Sequence, residues 1–331
     1  MRVTSVSRVP ILLRRRSYHS LRAATPFNFR LSLWKPSHFA TGLEIHTETD
    51  TWRTMRLQEH HIGLRLTRIT ARDVGVAIYS ESPLSPVETG EILGRVGDAY
   101  GFRDNLSHLE ECIERNGFTD LARLRGMRIS CPESVFEIAI ISLLLQNTTI
   151  ARTTQMFTSL LNSYGSLVRF DGVILRSFFT ASDIRGVRES DLRAENRLGY
   201  RAKYFPEFAE FFGSWVEPPR RSTLKKAQLI SDLQCIKGVG EYSSNVIASH
   251  ALRDESAVPL DVWNVRILHQ ALFDEPGEDR ETVLTALSEA FPRVEGLAAL
   301  YFVESAYLDD PLDPLAPSAA AARSRSCGHI C

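Results

Sequence analysis

The chain has 331 residues, of which 44% are hydrophobic and 24% are charged, a composition typical of globular domains and long enough for two hydrophobic cores. The formal net charge is −1, so the overall charge does not by itself indicate a nucleic-acid partner. The five cysteines are too scattered for a disulfide framework or a metal or iron–sulfur site, and no apolar run has the 18 or more residues expected of a membrane-spanning helix.

The N-terminal segment is basic. Residues 1–43 contain no Asp or Glu but eight Arg and Lys residues. Prolines at positions 10, 26 and 36 interrupt any regular pattern, so residues 1–40 are predicted to form a disordered basic extension. The first ~25 residues also match a mitochondrial transit peptide in composition, with a phosphate-contacting arm or an upstream start codon as alternatives. Only 5 of the 39 basic residues are lysines, so Arg richness is general in this chain and weakens the targeting interpretation.

The next segment has the alternation of strands. Apolar and polar residues alternate in Ile62–Ile69 and Val74–Tyr79, as in half-buried strands. Residues 41–86 are therefore predicted to be a small β-rich N-terminal domain, which ends in the Ser- and Pro-containing linker Ser80–Pro86.

From residue 87 to residue 308 the apolar spacing is helical. Pro132-Glu133-Ser134 opens a long apolar stretch, because proline suits a first helical turn and glutamate suits the positive end of a helix. This part of the chain is predicted to be all-helical with short connections. The Pro- and Ala-rich residues 309–331 are predicted to be a disordered tail.

The most informative motif is a glycine turn between two predicted helices, Gly238-Val239-Gly240. Two glycines one residue apart allow a ligand to approach the backbone closely, and the free amides of the following helix form an anion site suited to a DNA phosphate. The alternative is an ordinary turn between helices. A nucleotide-binding glycine loop is disfavoured, since no strand precedes the turn and a third glycine is missing.

A carboxylate follows this motif at the start of another predicted helix. Asp261 comes after the apolar segment Ala257–Leu260. A helix N-cap explains this aspartate equally well, and both roles can coexist if capping holds the side chain while one oxygen faces a cleft.

The order of these features, a hairpin, a helix, an apolar bridge and an aspartate, resembles that in the helix-hairpin-helix (HhH-GPD) superfamily of DNA glycosylases. Two upstream segments strengthen the resemblance: Leu145–Arg152 is similar to the segment that fills the gap left by an extruded base, and Leu198–Tyr204 is similar to a helix of the 8-oxoguanine branch. The β-rich segment also suits that branch and the alkyladenine branch. The resemblance covers roughly residues 100–305 and implies a mostly α fold, a helical domain of two subdomains preceded by a small β-rich domain.

The resemblance also implies a function. Such an enzyme flips a damaged nucleotide out of double-stranded DNA and hydrolyses its N-glycosidic bond, as a monomer, without a membrane. It would act in the nucleus or mitochondrion of a eukaryote or in the cytoplasm of a bacterium. No cofactor is implied, beyond a monovalent cation at the hairpin.

Site residues follow from the resemblance position by position. Asp261 would be the essential carboxylate, and Asn147 would lie near the vacated space in the duplex. Arg152 and Arg201 would read the orphaned opposite base. The hairpin residues that would hold the DNA backbone are Gly238, Val239, Gly240 and Tyr242.

Two departures from the pattern matter. Bifunctional members have a lysine where this chain has Tyr242, so no lyase activity is expected. In the last helix, Ala299 and Val303 occupy the positions of the base-reading glutamine and the stacking aromatic. A slip of one residue in the alignment would instead leave Tyr301 or Phe302 to stack on the base. The identity of the damaged base therefore stays open. The alternative is that the protein is a catalytically inactive DNA-binding homologue.

The base pocket is assigned to aromatic residues. Tyr242, Trp263 and Phe302 are the candidates, although Trp263 is equally explained as a core residue.

Overall fold

The computed structural model describes residues 9–37, 41–218, 221–258 and 260–309, and within them the chain forms two compact units. Unit 1 comprises residues 9–24, 41–103 and 130–253. Unit 2 comprises residues 25–37, 104–129 and 254–309. Within these ranges no helix is both long enough and apolar enough to cross a membrane.

All strands belong to unit 1. A five-stranded antiparallel sheet has the order β2-β6-β5-β4-β3, and a three-stranded sheet has the order β1-β7-β8. The strands are β1 (Ile11–Leu12), β2 (Arg15–Arg22), β3 (Glu44–His46), β4 (Asp50–Leu57), β5 (His60–Arg68), β6 (Asp73–Ser80), β7 (Ser166–Phe170) and β8 (Val173–Ser177). The two segments with alternating residues therefore form strands as predicted, in β5 and β6.

Helices make up most of the rest of the fold. In chain order they are α1 (Phe29–Leu33), α2 (Pro86–Ala99), α3 (Ser107–Asn116), α4 (Val135–Leu145), α5 (Ile150–Tyr164), α6 (Glu189–Ala194), α7 (Phe205–Ser214), α8 (Lys226–Gln234), α9 (Glu241–Leu252), α10 (Val262–Phe273), α11 (Arg280–Ala290) and α12 (Glu295–Asp309), with 3-10 helices at Thr119–Leu124, Gly199–Tyr204 and Arg221–Thr223. This content confirms the predicted fold class, mostly α with a smaller β-rich part.

The predicted disorder of residues 1–40 is wrong for the part of this segment that the structure describes. All eight residues of β2 pair with β6, and α1 places Phe29 and Leu33 in buried positions of unit 2. The Arg-rich composition hides the alternation of β2, and the prolines lie outside the elements rather than within them. The predictions for residues 1–8 and 38–40, and for the tail beyond Asp309, lie outside the described residues.

The prediction of an all-helical region from 87 to 308 is also wrong at one place. Strands β7 and β8 form a hairpin whose turn, Asp171-Gly172, has positive φ angles of 46° and 79°. Asp-Gly between two apolar runs is a recognised hairpin signal, so the sequence did contain this information. The ring of Phe170 lies over Gly63, where a Cβ atom would come within 2.5 Å of it.

Unit 1 has a large apolar core around α4. Most residues of this helix are buried, and the Phe136 ring contacts the rings of Phe178, Phe179 and Phe212. Ser134 caps the helix, since its hydroxyl accepts a hydrogen bond from the Glu137 amide. The position of α4 matters because its C-terminal end leads directly into the turn that holds Asn147.

Unit 2 packs α10, α11 and α12 with α3 around a second core. The Tyr301 hydroxyl donates a 2.7 Å hydrogen bond to the carbonyl of Met127. The fully buried Glu304 carboxylate binds the Lys35 ammonium at 2.9 Å and the backbone amide of Ser37 at 2.8 Å. These contacts secure the segment around α1 to α12, which explains why residues 27–37 are ordered.

A group of buried charges holds the N-terminal end of α4. Arg53 of β4 binds the Glu133 carboxylate at 2.5 Å and donates to the Tyr100 hydroxyl at 2.8 Å, with Glu44 at 3.7 Å. Glu137, one turn further along α4, is also buried. Burial and the nearby charge of Glu133 raise the pKa of Glu137 to about 8.

This raised pKa predicts a pH-dependent stability. The carboxyl of Glu137 keeps its proton in the folded state and loses it on unfolding, so the free energy of unfolding should fall between about pH 5 and pH 8, by up to about 1.4 kcal/mol per pH unit. Urea unfolding of Glu137→Gln should show a shallower dependence. The matched change Glu114→Gln, at an exposed position of α3, should keep the wild-type slope; equal slopes in all three proteins would contradict the prediction.

Candidate functional site

The glycine turn of unit 1 lies between α8 and α9, as the sequence predicted. Gly238 has a φ of +94°, and a Cβ atom there would lie 2.6 Å from the ring of Tyr204. Val239 is buried, and its amide donates a 3.0 Å hydrogen bond to the carbonyl of Ile236. Gly238 therefore has to be glycine for two reasons, its left-handed backbone and the aromatic ring packed on it.

The N-terminus of α9 is open. Gly240 is its N-cap, and without a side chain it cannot accept a hydrogen bond from the first-turn amides. It is exposed, and a Cβ atom built on it would meet nothing within 4 Å. The first amides of a helix have no partner within the helix and carry partial positive charge, so this end of α9 is suited to an anion.

Aromatic and basic side chains surround the hairpin. Tyr242, in the first turn of α9, is 46% exposed. Lys237 is exposed in the turn itself, and its backbone amide donates to Glu207 at 2.8 Å. The Lys203 ammonium lies 4.9 Å from the centre of the Tyr204 ring that covers Gly238. The hairpin thus combines a helix N-terminus without a side-chain cap, exposed cations and an exposed aromatic ring.

Asn147 lies in the turn between α4 and α5. It is exposed and has a φ of +46°, a left-handed conformation that asparagine adopts more readily than most residues. Leu145 is 38% exposed and Ile150 is 44% exposed on either side of it. An exposed amide between two exposed apolar side chains has the chemistry of a wedge, and contact with a duplex stays a prediction.

Gln146 joins this turn to the hairpin, a role that the sequence did not indicate. Its amide nitrogen donates to the Gly238 carbonyl and to the Ser243 hydroxyl, both at 3.1 Å. Arg201, itself buried, donates to the Gln146 carbonyl and, at 3.2 Å, to the Leu143 carbonyl. Because Gly238 lies 92 positions away from Gln146, no local pattern could have revealed the contact.

The two arginines that were assigned to base reading are engaged with protein carbonyls. Arg152 donates to the carbonyl of Arg197 at 2.5 Å and to the Gln155 side chain at 3.3 Å. The Arg201 guanidinium lies under the end of α4 and 4.7 Å from the centre of the Tyr200 ring. Arg201 therefore supports the Asn147 turn, whereas Arg152 joins α5 to the backbone at Arg197. Contact of either arginine with a base stays a prediction.

Asp261 belongs to unit 2 and caps α10. Its Oδ1 accepts a 2.7 Å hydrogen bond from the Asn264 amide, in the geometry of an N-cap. The residue is exposed, and its Oδ2 accepts no hydrogen bond from any described residue. Leu260 and Val265 on either side are buried in the core of unit 2, so the backbone of Asp261 is held firmly. One oxygen is used for capping and the other is free, as the sequence allowed.

The aromatic residues that were predicted to line the base pocket differ in their exposure. Trp263 is 39% exposed in the first turn of α10, so it is not a core residue. Phe302 is 4% exposed, with its ring 5.1 Å from that of Phe118 and 5.8 Å from that of Phe291. The assignment of Phe302 to the base pocket is therefore wrong, because the core of unit 2 encloses its ring.

No group of His, Cys, Asp or Glu side chains among the described residues is arranged to hold a metal ion. In the hairpin, the carbonyls of Ile236 and Gly238 accept hydrogen bonds from Val239 and Gln146. A monovalent cation there stays a prediction.

The fold is that of the helix-hairpin-helix DNA glycosylases. A 3-methyladenine DNA glycosylase from Archaeoglobus fulgidus superposes with a TM-score of 0.72, at 17% identity, over 89% of this chain and 98% of that one. The 8-oxoguanine glycosylase/lyase of Clostridium acetobutylicum, in complex with DNA that has cytosine opposite 8-oxoguanine, gives a TM-score of 0.65 at 17% identity, over 90% of this chain and 99% of that one.

Two curated protein sequences are similar to the chain, and they confirm the resemblance stated from the motifs. A probable N-glycosylase/DNA lyase of Methanothermobacter thermautotrophicus is 25% identical over 234 residues, 65% of this chain and 74% of that protein. An N-glycosylase/DNA lyase of Saccharomyces cerevisiae is 31% identical over 178 residues, 49% of this chain and 47% of that protein, so the match spans about half of the yeast protein. No family model matches the chain.

The two hairpin glycines give a test of this geometry. Gly238→Ala adds left-handed strain and a clash with the Tyr204 ring, and should lower the free energy of unfolding by about 2–4 kcal/mol. The matched variant Gly240→Ala meets no neighbouring atom and should lose less than about 1 kcal/mol. Urea unfolding of both variants measures the difference; equal losses would show that the turn is not constrained as described.

Proposed function

We propose that this protein is a monofunctional DNA N-glycosylase of base excision repair. It binds double-stranded DNA as a monomer, flips a damaged nucleotide out of the duplex and hydrolyses its N-glycosidic bond, with Asp261 as the essential carboxylate. The names of the similar proteins support the general activity, since both curated relatives are named N-glycosylase/DNA lyase. The observation that carries the proposal is the free, exposed Oδ2 of a carboxylate whose other oxygen is held by a helix amide.

The chemistry assigned to Asp261 follows from the bond that breaks. Cleavage of an N-glycosidic bond leaves positive charge on the sugar, as in glycoside hydrolysis. A preorganised carboxylate stabilises this charge and orients the attacking water. The hydrogen bond from the Asn264 amide holds the carboxylate in place before the reaction begins, so little reorganisation is needed.

The hairpin is proposed to hold the DNA backbone. The uncapped first-turn amides of α9 would bind one phosphate, with the exposed Lys237 close to them in sequence. Gly240 leaves room for a phosphate oxygen, because nothing lies within 4 Å of the position that its Cβ would take.

The Asn147 turn is proposed to fill the gap left by the flipped nucleotide. Unstacking a base costs about a few kcal/mol, and a side chain inserted into the stack offsets part of this cost. Gln146 would transmit the position of the hairpin to this turn through its two hydrogen bonds. Arg152 and Arg201 are proposed to approach the opposite base, with Arg201 also bracing the turn.

The base would stack on aromatic side chains. Tyr242 of unit 1 and Trp263 of unit 2 are both partly exposed, and we propose each of them as a stacking partner for the base. The damaged base itself is best identified with a panel of duplexes, each with one alkylated, oxidised, deaminated or mismatched base, assayed for base release. One structural neighbour is named a 3-methyladenine DNA glycosylase and the other an 8-oxoguanine glycosylase/lyase, so both bases belong in the panel.

Asp261→Asn tests the catalytic assignment. Asn is as good an N-cap as Asp, so the free energy of unfolding should change by less than about 0.5 kcal/mol. Loss of the negative charge should lower single-turnover base release by about 100- to 1000-fold. The matched control is Asp279→Asn, which changes another aspartate N-cap in unit 2, on α11, and should leave base release unchanged.

Two outcomes of this experiment would contradict the proposal. Full activity in Asp261→Asn would remove Asp261 from the reaction. DNA binding by the wild-type protein with no base release from any duplex of the panel would instead support the catalytically inactive homologue.

The absence of lyase activity is tested separately. A Schiff base needs an amine, and Tyr242 offers a phenol at the position of the lysine of bifunctional relatives. Reaction with a damaged duplex should therefore give strand breaks only after alkali, and borohydride should trap no covalent protein–DNA adduct. A trapped adduct would show that another amine, such as Lys237 or Lys203, acts as the nucleophile.

A further inference from the structure

The basic N-terminal segment forms a surface of its own in unit 1. An open depression of about 560 Å³ is lined by Leu13, Arg14, Arg15, Arg16, Tyr79 and Asp171. The three consecutive arginines are exposed at the start of β2. All eight residues of β2 pair with β6, so Arg15 and Arg16 project from a paired strand, and Arg14 directly precedes it.

The depression keeps a positive charge because its acidic residue is already occupied. The Asp171 carboxylate accepts hydrogen bonds from Trp52 Nε1 at 2.8 Å and the Tyr79 hydroxyl at 2.7 Å, and Arg65 lies 3.3 Å away. Arg14 and Arg15 form no ion pair with any described residue. Their charges are therefore available to a ligand.

An aromatic side chain extends the basic surface. The Arg16 guanidinium lies 4.7 Å from the centre of the Tyr18 ring, and Tyr18 is 65% exposed. Stacking of this kind limits the motion of an arginine side chain, so less entropy is lost when the guanidinium binds. Consecutive guanidinium groups beside an exposed ring match the phosphates of a nucleic-acid backbone.

Edge-strand protection is the simpler explanation for these arginines, since charged residues on an edge strand prevent pairing between molecules. Arg22 at the other end of β2 fits that role and is paired with Asp73 at 2.7 Å. Arg14–Arg16 differ from it, because they converge on one depression in which the only carboxylate is occupied.

We propose that Arg14–Arg16 bind the sugar-phosphate backbone of a duplex arm beside the lesion, as a second DNA contact separate from the hairpin. This inference rests on the proposed function. The chain from the Asn147 turn to Asp171 runs through the 15 residues of α5 and the five of β7, which limits their separation to about 50 Å. That distance corresponds to about 15 base pairs of a duplex.

The test compares two double variants of equal charge. Arg14→Ala/Arg15→Ala removes two unpaired arginines, and the control Arg22→Ala/Arg103→Ala removes two exposed arginines of unit 1 that are paired with aspartates. Binding is measured by fluorescence anisotropy against salt, with undamaged duplexes of about 40 and about 10 base pairs. Circular dichroism and thermal unfolding establish that all the proteins are folded.

On the long duplex, the slope of log K against log salt should become less negative by about 1.8 in Arg14→Ala/Arg15→Ala, since each lost phosphate contact contributes about 0.9. The control variant should keep the wild-type slope, and all proteins should bind the short duplex alike. Single-turnover base release from a short lesion duplex should also be unchanged.

Several results would overturn the proposal. If Arg14→Ala/Arg15→Ala kept the wild-type slope on the long duplex, protection of the edge strand would be a sufficient explanation for these arginines. An equal loss on the short duplex would show that these arginines and the hairpin contact the same ten base pairs, so that the arginines are not a separate contact. A loss confined to anionic phospholipid vesicles, with binding measured in parallel, would indicate a membrane headgroup. Absence of DNA binding by the wild-type protein would refute this inference, whereas absence of base release with the predicted slope change would refute only the proposed catalysis.

Discussion

The structure of unit 1 at its candidate DNA-binding surface depends on the two hydrogen bonds donated by the Gln146 amide. They tie the end of α4 to the Gly238 carbonyl and to the Ser243 hydroxyl at the start of α9. The carbonyl of the same residue is held by the buried Arg201. These bonds link the exposed Asn147 turn directly to the hairpin, in addition to the packing of α4 and α9 in the core of unit 1. With these bonds, a shift of the turn moves the hairpin, which is what an enzyme needs if phosphate binding and gap filling are to occur together.

The opposite end of α4 is held by charge. Arg53 and Glu133 form a buried ion pair at 2.5 Å. The Glu217 carboxylate accepts a 3.0 Å hydrogen bond from the Val135 amide in the first turn of α4. Buried charges of this kind contribute little net stability, but removal of one partner leaves an uncompensated charge that costs about 3–5 kcal/mol. They therefore favour one position of α4 along its axis. Apolar packing alone would not define this position, because α4 is apolar and buried on most sides. The position of α4 along this axis also determines where the Asn147 turn lies, because the turn follows the C-terminal end of α4.

In unit 2, Asp261 has a structural role, and we propose a chemical role for the same residue. Capping of α10 orients the Asp261 carboxylate and leaves one oxygen free. Capping alone could retain an aspartate at this position, so its presence does not distinguish an enzyme from an inactive relative. A loss of activity that leaves stability unchanged does distinguish them. The basic surface at the start of β2 is independent of this question, because phosphate contacts add affinity whether or not a base is released.

The sequence by itself determined the mostly α fold, the position of the hairpin and the capping role of Asp261, because the information for these features lies within a few residues of each. It also contains the Asp-Gly signal of the β7–β8 hairpin, within a region whose apolar spacing favours helices. Only the tertiary structure decided that β2 is a strand, that Phe302 is enclosed by other rings and that Gln146 reaches Gly238. Strand pairing, core packing and long-range hydrogen bonds join residues far apart in the chain. A local sequence pattern shows which side chains are present, but the tertiary structure determines which of them contact each other.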